Sequence, residues 1–182
     1  ILDKKFKYFP HQSKFTGIIN SRNIIRAENP DIVVGLYVAS YGLKVSLCGN
    51  YPKLLIVAGS DVLLVPKESY ITQKIVEYSL KKSNLNVGTS IVLSQRVTQF
   101  GVDKKRTAHV PRGIKTNLFK KPVSISVLRK KYNIPNSKKV IFSCRNFEPL
   151  YRVDRLIKAM SLVVKKNPDT LLLIAGSGSL EN

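Results

Sequence analysis

Arg145 and the run Gly176-Ser177-Gly178 are the residues whose types and spacing best suit chemistry. Arg145 directly follows one apolar stretch, KKVIFSC, and the glycines close another, TLLLIAG. A guanidinium offers a rigid fork of donors, glycine permits close backbone approach, and the amides of a helix N-terminus add positive potential. Together they suit a diphosphate. The same residues also read as a plain strand-to-helix turn beside a surface charge, because a lone GxG is a weak signal.

The elements that must position them are two buried strands and the amphipathic segment 152–167 between them. Parallel neighbours need a crossover, and the crossover keeps one hand, so the pattern predicts a right-handed βαβ unit. Ligands of such sheets sit outside the carboxyl ends of the strands, where Arg145 and the glycines stand.

The remaining chain repeats this alternation. Residues 1–12 read as a strand or extended lead-in. Ser13 then caps a helix carrying Phe15, Ile18, Ile19 and Ile25 until Asn29-Pro30 stops it. A short buried strand over 31–35 leads to a helix over 39–48, and a strand over 53–58 leads to the loop Gly59-Ser60-Asp61. A helix over 69–82, a strand over 85–88, a helix from the Ser90 cap to the Gly101 stop and a strand over 107–110 follow. Residues 114–124 have no clear period and mark a domain boundary. Beyond them a short basic helix over 126–132 precedes the βαβ unit. Strands of about five residues alternating with helices predict an α/β sheet on both sides of the boundary.

The chain has 182 residues and is 43% hydrophobic, enough for a core in one or two domains. It contains no apolar run long enough to span a bilayer, and its first residues read neither as a signal peptide nor as a membrane span, which predicts a cytoplasmic setting or a piece clipped from a larger protein. Cys48 and Cys144 each lie in an apolar pattern and are expected to behave as small hydrophobes, without a disulfide framework or zinc site. A net charge of +20 invites a nucleic-acid reading. Against it, most basic residues are lysines scattered in pairs and not interleaved with stacking aromatics. An anionic membrane surface or an anionic small substrate fits such lysines equally well.

Four segments, in order, resemble the retaining glycosyltransferases of family four (group one): ENPDIVVGLYVASYG, LLIVAGSDVLL, FGVDKKRTAHVPRGIKTNLFKK, and VIFSCRNFEPLYRVDRLIKAM with PDTLLLIAGSGSLEN. The resemblance spans about residues 20–182. It implies an α/β fold of GT-B type with two Rossmann-like domains. The acceptor-side domain would occupy 1–113 and lack its start, 114–125 would link the two, and 126–182 would be the first βαβ unit of the donor domain. The implied activity is transfer of a sugar, with retention, from a UDP-, GDP- or ADP-sugar to a polysaccharide or lipid-linked acceptor, with no cofactor and no metal. The implied setting is cytoplasmic, peripheral on the inner face of the cell membrane. Arg145 falls at the family's donor-diphosphate arginine, Gly176 and Gly178 on the turn near the donor phosphates, and Gly59, Ser60 and Asp61 on the acceptor side of the cleft.

Departures from the family pattern qualify this. Where many members carry a second phosphate-binding lysine, the chain has Leu150 and Tyr151. Arg152 either supplies that charge or is a solvated first-turn residue. The family's loop histidine is Ala58, and neither His11 nor His109 replaces it by position. Asp61 reads more readily as a loop or helix cap than as an acid or base. The glycine-rich first loop and the donor-gripping pair of glutamates do not occur within these residues, so the 182 residues alone are expected to be inactive or nearly so. Two other classes compete: a non-catalytic GT-B remnant acting as a binding module, and a basic nucleic-acid binder.

Overall fold

The computed structural model describes residues 16–119 and 124–181. The expected lead-in strand over 1–12, His11, the Ser13 cap and Phe15 lie outside the described residues. Contacts divide the chain into two compact units, Ile1–Ile114 and Lys115–Asn182.

In the first unit, α1 (Thr16–Glu28) precedes β1 (Val33–Leu36), followed by a π turn (Val38–Gly42) that runs into the short α2 (Leu43–Ser46). Then come β2 (Lys53–Val57), α3 (Ser60–Leu63), α4 (Tyr70–Lys82), β3 (Leu85–Gly88), α5 (Ile91–Gln99) and β4 (Thr107–His109). The strands pair in sequence order, β1-β2-β3-β4, all parallel, with Leu36 opposite Ile56 and Val57 opposite Gly88 at their carboxyl ends. Sequential parallel pairing with right-handed crossovers puts the connecting helices on one face of the sheet. Burial follows that geometry. Leu55 and Val57 of β2 are fully buried with Val38, Val62, Val76, Leu80 and Val97, whereas Val34 and Leu36 of β1 are half-exposed on the other face.

Local chemistry explains the helix ends. The Ser69 hydroxyl accepts from the Thr72 N–H, and the Thr72 hydroxyl accepts from the Ser69 N–H, a reciprocal capping box at the start of α4. Ser90 caps α5 by accepting from the Leu93 N–H.

Two expectations are corrected here. The helix expected over 39–48 is instead a π turn and a single α turn, because Gly42 donates its N–H to Tyr37 O, five residues back, at 3.1 Å. The expected loop 59–61 is shorter: Gly59 is the cap position, and Ser60 and Asp61 already form the first turn of α3.

In the second unit, α6 (Ile125–Lys131) precedes β5 (Lys139–Cys144), α7 (Val153–Lys166) and β6 (Thr170–Ala175). β5 and β6 pair in parallel from Lys139 opposite Thr170 to Cys144 opposite Ala175, the expected βαβ unit. Its strands are not fully buried, which corrects the expectation of two buried strands. Val140, Ile141 and Phe142 are exposed, because the described cover is essentially α7, which itself buries only Val153 and Met160. Cys144 is likewise exposed, so only Cys48 is a buried thiol. Burial pushes the Cys48 thiol up in pKa, and its Sγ–H donates to Lys44 O.

Candidate functional site

At the carboxyl edge of the second unit the two chain segments leaving β5 and β6 stay in register after the strands end. Arg145 donates its N–H to Ala175 O at 3.1 Å, Phe147 to Ser177 O at 2.9 Å, and Leu180 to Phe147 O at 2.9 Å. Residues 145–148 and 175–180 thus form one paired rim. This pairing requires the glycines. A Cβ on Gly176 would collide with the Arg145 carbonyl, and one on Gly178 would lie 2.6 Å from the Phe147 carbonyl oxygen. The bare bend therefore serves contact between the two loops, a reason that holds whether or not a phosphate approaches.

Glu148 locks the same rim. One carboxylate oxygen accepts the Ser179 N–H at 3.1 Å and the other its hydroxyl at 2.7 Å, and these bonds hold the Glu148 carboxyl below its ordinary pKa. The Arg145 guanidinium lies over the Tyr151 ring, 5.5 Å from its centroid. Arg145 is exposed and stacked on an aromatic that orients a planar cation without neutralising it. Arg152 is in a different state. Left-handed at φ 48°, it caps α7 and forks onto Asp154, with Nε at 3.0 Å and a terminal nitrogen at 2.9 Å. That pair draws the Asp154 carboxyl down to about 2, with the Arg152 hydrogen bond as the main cause. Of the two expected diphosphate cations, Arg145 has no carboxylate partner among the described residues, and Arg152 is paired with Asp154.

At the carboxyl edge of the first unit, Asp61 is fully buried. Its carboxylate accepts the N–H groups of Val38 at 2.9 Å, Gly59 at 2.7 Å and Ala58 at 3.2 Å. The expectation that the Asp61 side chain faces an acceptor is corrected: three backbone amides use it up, and it fixes the ends of β1 and β2 instead. Gly59 sits at φ +133°, where an L side chain is strained, and a Cβ there would meet nothing within 4 Å. Its open face and the half-buried Ser60 hydroxyl remain accessible. Tyr37, also at positive φ (79°), places its hydroxyl 3.3 Å from Ser60 Oγ. Its backbone is over-determined by Tyr37 N–H donating to Ile56 O and by the Val38 bond to Asp61, the circumstance in which local strain persists at working sites. Beside this edge a groove of about 330 Å³ is lined by Leu63, Lys67, Val92, Gln95, Arg96 and Gln99. His109 lies on β4, away from these contacts.

Sequence reasoning missed Tyr37, Phe147, Glu148, Tyr151 and Ser179. No local signal pairs Glu148 with Ser179, but the aromatic Tyr151 six residues after Arg145 was visible as a stacking candidate. Among the described residues no cluster of three or more His, Cys, Asp or Glu side chains could hold a metal ion. None of the described helices is long and apolar enough to cross a membrane.

Comparison with known proteins bears on family and fold. Residues 2–90 match the family model described as Glycosyl transferase 4-like, and residues 124–182 match Glycosyl transferases group 1. A curated GDP-mannose-dependent monoacylated alpha-(1-6)-phosphatidylinositol monomannoside mannosyltransferase of Corynebacterium glutamicum is 30% identical over 112 residues, 56% of this chain and 29% of that protein. Among solved structures, Anabaena HepE with UDP and glucose superposes at TM-score 0.74 with 16% identity, over 88% of this chain and 43% of that one. S. aureus MnaA with UDP superposes at 0.56 with 15% identity, over 92% and 46%. The chain spans less than half the length of these relatives.

Proposed function

Since this chain belongs to the family-four, group one glycosyltransferases of GT-B fold, we propose that it acts in retaining transfer of a sugar from a nucleotide-sugar donor to a glycan or lipid-linked acceptor. The observation that carries this reading is the paired rim at the carboxyl edge of β5 and β6, where an oriented Arg145 stands beside a turn rich in small residues. Unit two is the donor side. Arg145 takes the diphosphate, the amides around Gly176, Ser177 and Gly178 line its seat, and Glu148 holds that turn in shape through Ser179. The leaving group is a nucleoside diphosphate, so stabilising its growing charge by a fixed cation and amides lowers the barrier most. Arg152 serves α7 and Asp154 and adds little to that field.

Unit one is the acceptor side. The Gly59 backbone and the Ser60 hydroxyl, with Tyr37 beside it, present hydrogen-bonding groups on a rigid edge that Asp61 fixes from within. The relatives that guide the donor class are a GDP-mannose-dependent enzyme and structures holding UDP. The proposed donor class is a UDP-, GDP- or ADP-sugar, the first two supported by these relatives, used without a metal or other cofactor. The setting is cytoplasmic, peripheral on the inner membrane face, in synthesis of a cell-surface polysaccharide or glycolipid.

Calorimetric titration with UDP-, GDP- and ADP-sugars tests this. Binding of one of them, weakened by about 1.5–3 kcal/mol in Arg145→Ala as for a lost charged hydrogen bond, is the expected result. Equal affinity of wild type and variant would remove Arg145 from the donor site.

A further inference from the structure

The helix α4 has two unlike faces. Val76, Ser79 and Leu80 are buried against the core. At about 100° per residue, Tyr70, Ile71, Lys74, Ile75, Tyr78, Lys81 and Lys82 fall within about 140° of arc on the other side. Tyr70 is 72% and Ile71 70% exposed, and Tyr78 is exposed as well. Two tyrosines and an isoleucine side by side on one exposed arc form a contiguous apolar patch, the kind that marks an interaction site. With Leu43, the residues Tyr70, Ile71, Lys74, Ile75 and Tyr78 line an almost wholly apolar groove of about 300 Å³.

The charges on and beside this face are three lysines and one glutamate, a net positive charge. Lys74 Nζ lies 5.4 Å above the Tyr70 ring and Lys82 Nζ 5.9 Å above that of Tyr78, so the ammonium groups sit over the exposed aromatic faces. Glu77, the helix's one acid, lies at the edge of the arc and binds Lys74 at 3.0 Å and Lys81 at 2.5 Å. Rings with a polar tip, aliphatic side chains and lysines that extend past them are the composition of a helix lying in a membrane interface. The net charge of +20 adds attraction to an anionic surface.

We propose that the outer face of α4 docks on an anionic lipid bilayer. Tyr70, Ile71 and Tyr78 enter the headgroup boundary, Lys82 meets a lipid phosphate, and Lys74 and Lys81, which share the single Glu77 carboxylate, keep a net positive charge beside it. This deepens the functional reading, and rests on it only for the claim that the acceptor is membrane-associated. The binding itself can be read without any transferase activity.

The test is co-sedimentation of the full chain with vesicles of mixed phosphatidylglycerol and phosphatidylcholine, against phosphatidylcholine alone. Binding to the anionic vesicles only is expected, reduced roughly tenfold or more in the triple variant Tyr70→Ser, Ile71→Ser, Tyr78→Ser. The chain has no tryptophan, so Ile71→Trp gives a reporter without background, whose emission should shift to the blue on anionic vesicles. Absence of binding, binding undiminished in the triple variant, or binding without a blue shift would each overturn the docking face. None of these results touches donor binding at Arg145, which calorimetry reads separately.

Discussion

Asp61 and Arg152 are both charged residues in promising places, and their neighbours decide what each can do. Asp61 gives both carboxylate oxygens to backbone amides of two strand ends. Asp61→Ala should orphan buried donors worth about 1–3 kcal/mol each and lower the stability of the first unit by roughly 3 kcal/mol, measurable by urea denaturation. Its capping role was legible in Gly-Ser-Asp, but its bond to Val38, 23 residues away, was not, since only the fold brings those groups together. Arg152 shows the converse. Its alternative as a non-ligand was open from the sequence, and the Asp154 two residues on settled its geometry. Because the folded Asp154 sits at about 2, below its ordinary value near 3.8, the pair stabilises the second unit above the unfolded pKa, and that contribution fades as pH falls from about 4 toward 2. Carboxyl titration followed by NMR should place the Asp154 midpoint near 2 in wild type and shift it up toward the ordinary range in Arg152→Ala.

At the scale of elements, apolar periodicity and cap residues located nearly every described strand and helix. α4 begins at its Ser69 cap and α5 at Ser90 because those hydroxyls satisfy otherwise free amides in the first turn. Ser69→Ala should cost about 1 kcal/mol in thermal or chemical denaturation. The π turn at Val38–Gly42 was not legible, because it depends on Tyr37 at positive φ and on a tertiary carboxylate. Burial was harder to read than element type. Equal apolar runs gave a core strand in β2 and a largely exposed one in β5, the difference being the number of helices laid over each sheet. Leu55→Ala, in the middle of the fully buried stretch of β2, should cost about 2–5 kcal/mol, with the cavity it leaves setting the exact value.

For the molecule as a whole, the two units differ in how well their sheets are covered. Amide exchange should be slowest in β2 and β3 and faster in β5, where apolar side chains remain in water. The order of family segments along the chain was legible from sequence, and it led to the proposed donor side before any geometry was known. What the geometry changed is the reason for the glycines: they let two loops touch and so build the rim on which Arg145 is displayed. The most direct test of that rim as a donor seat is an amide NMR titration of the chain with UDP, GDP and ADP. A diphosphate seated there predicts concentration-dependent shifts concentrated at residues 145–148 and 176–180 and lost in Arg145→Ala. Shifts confined to other residues, or unchanged in the variant, would contradict it.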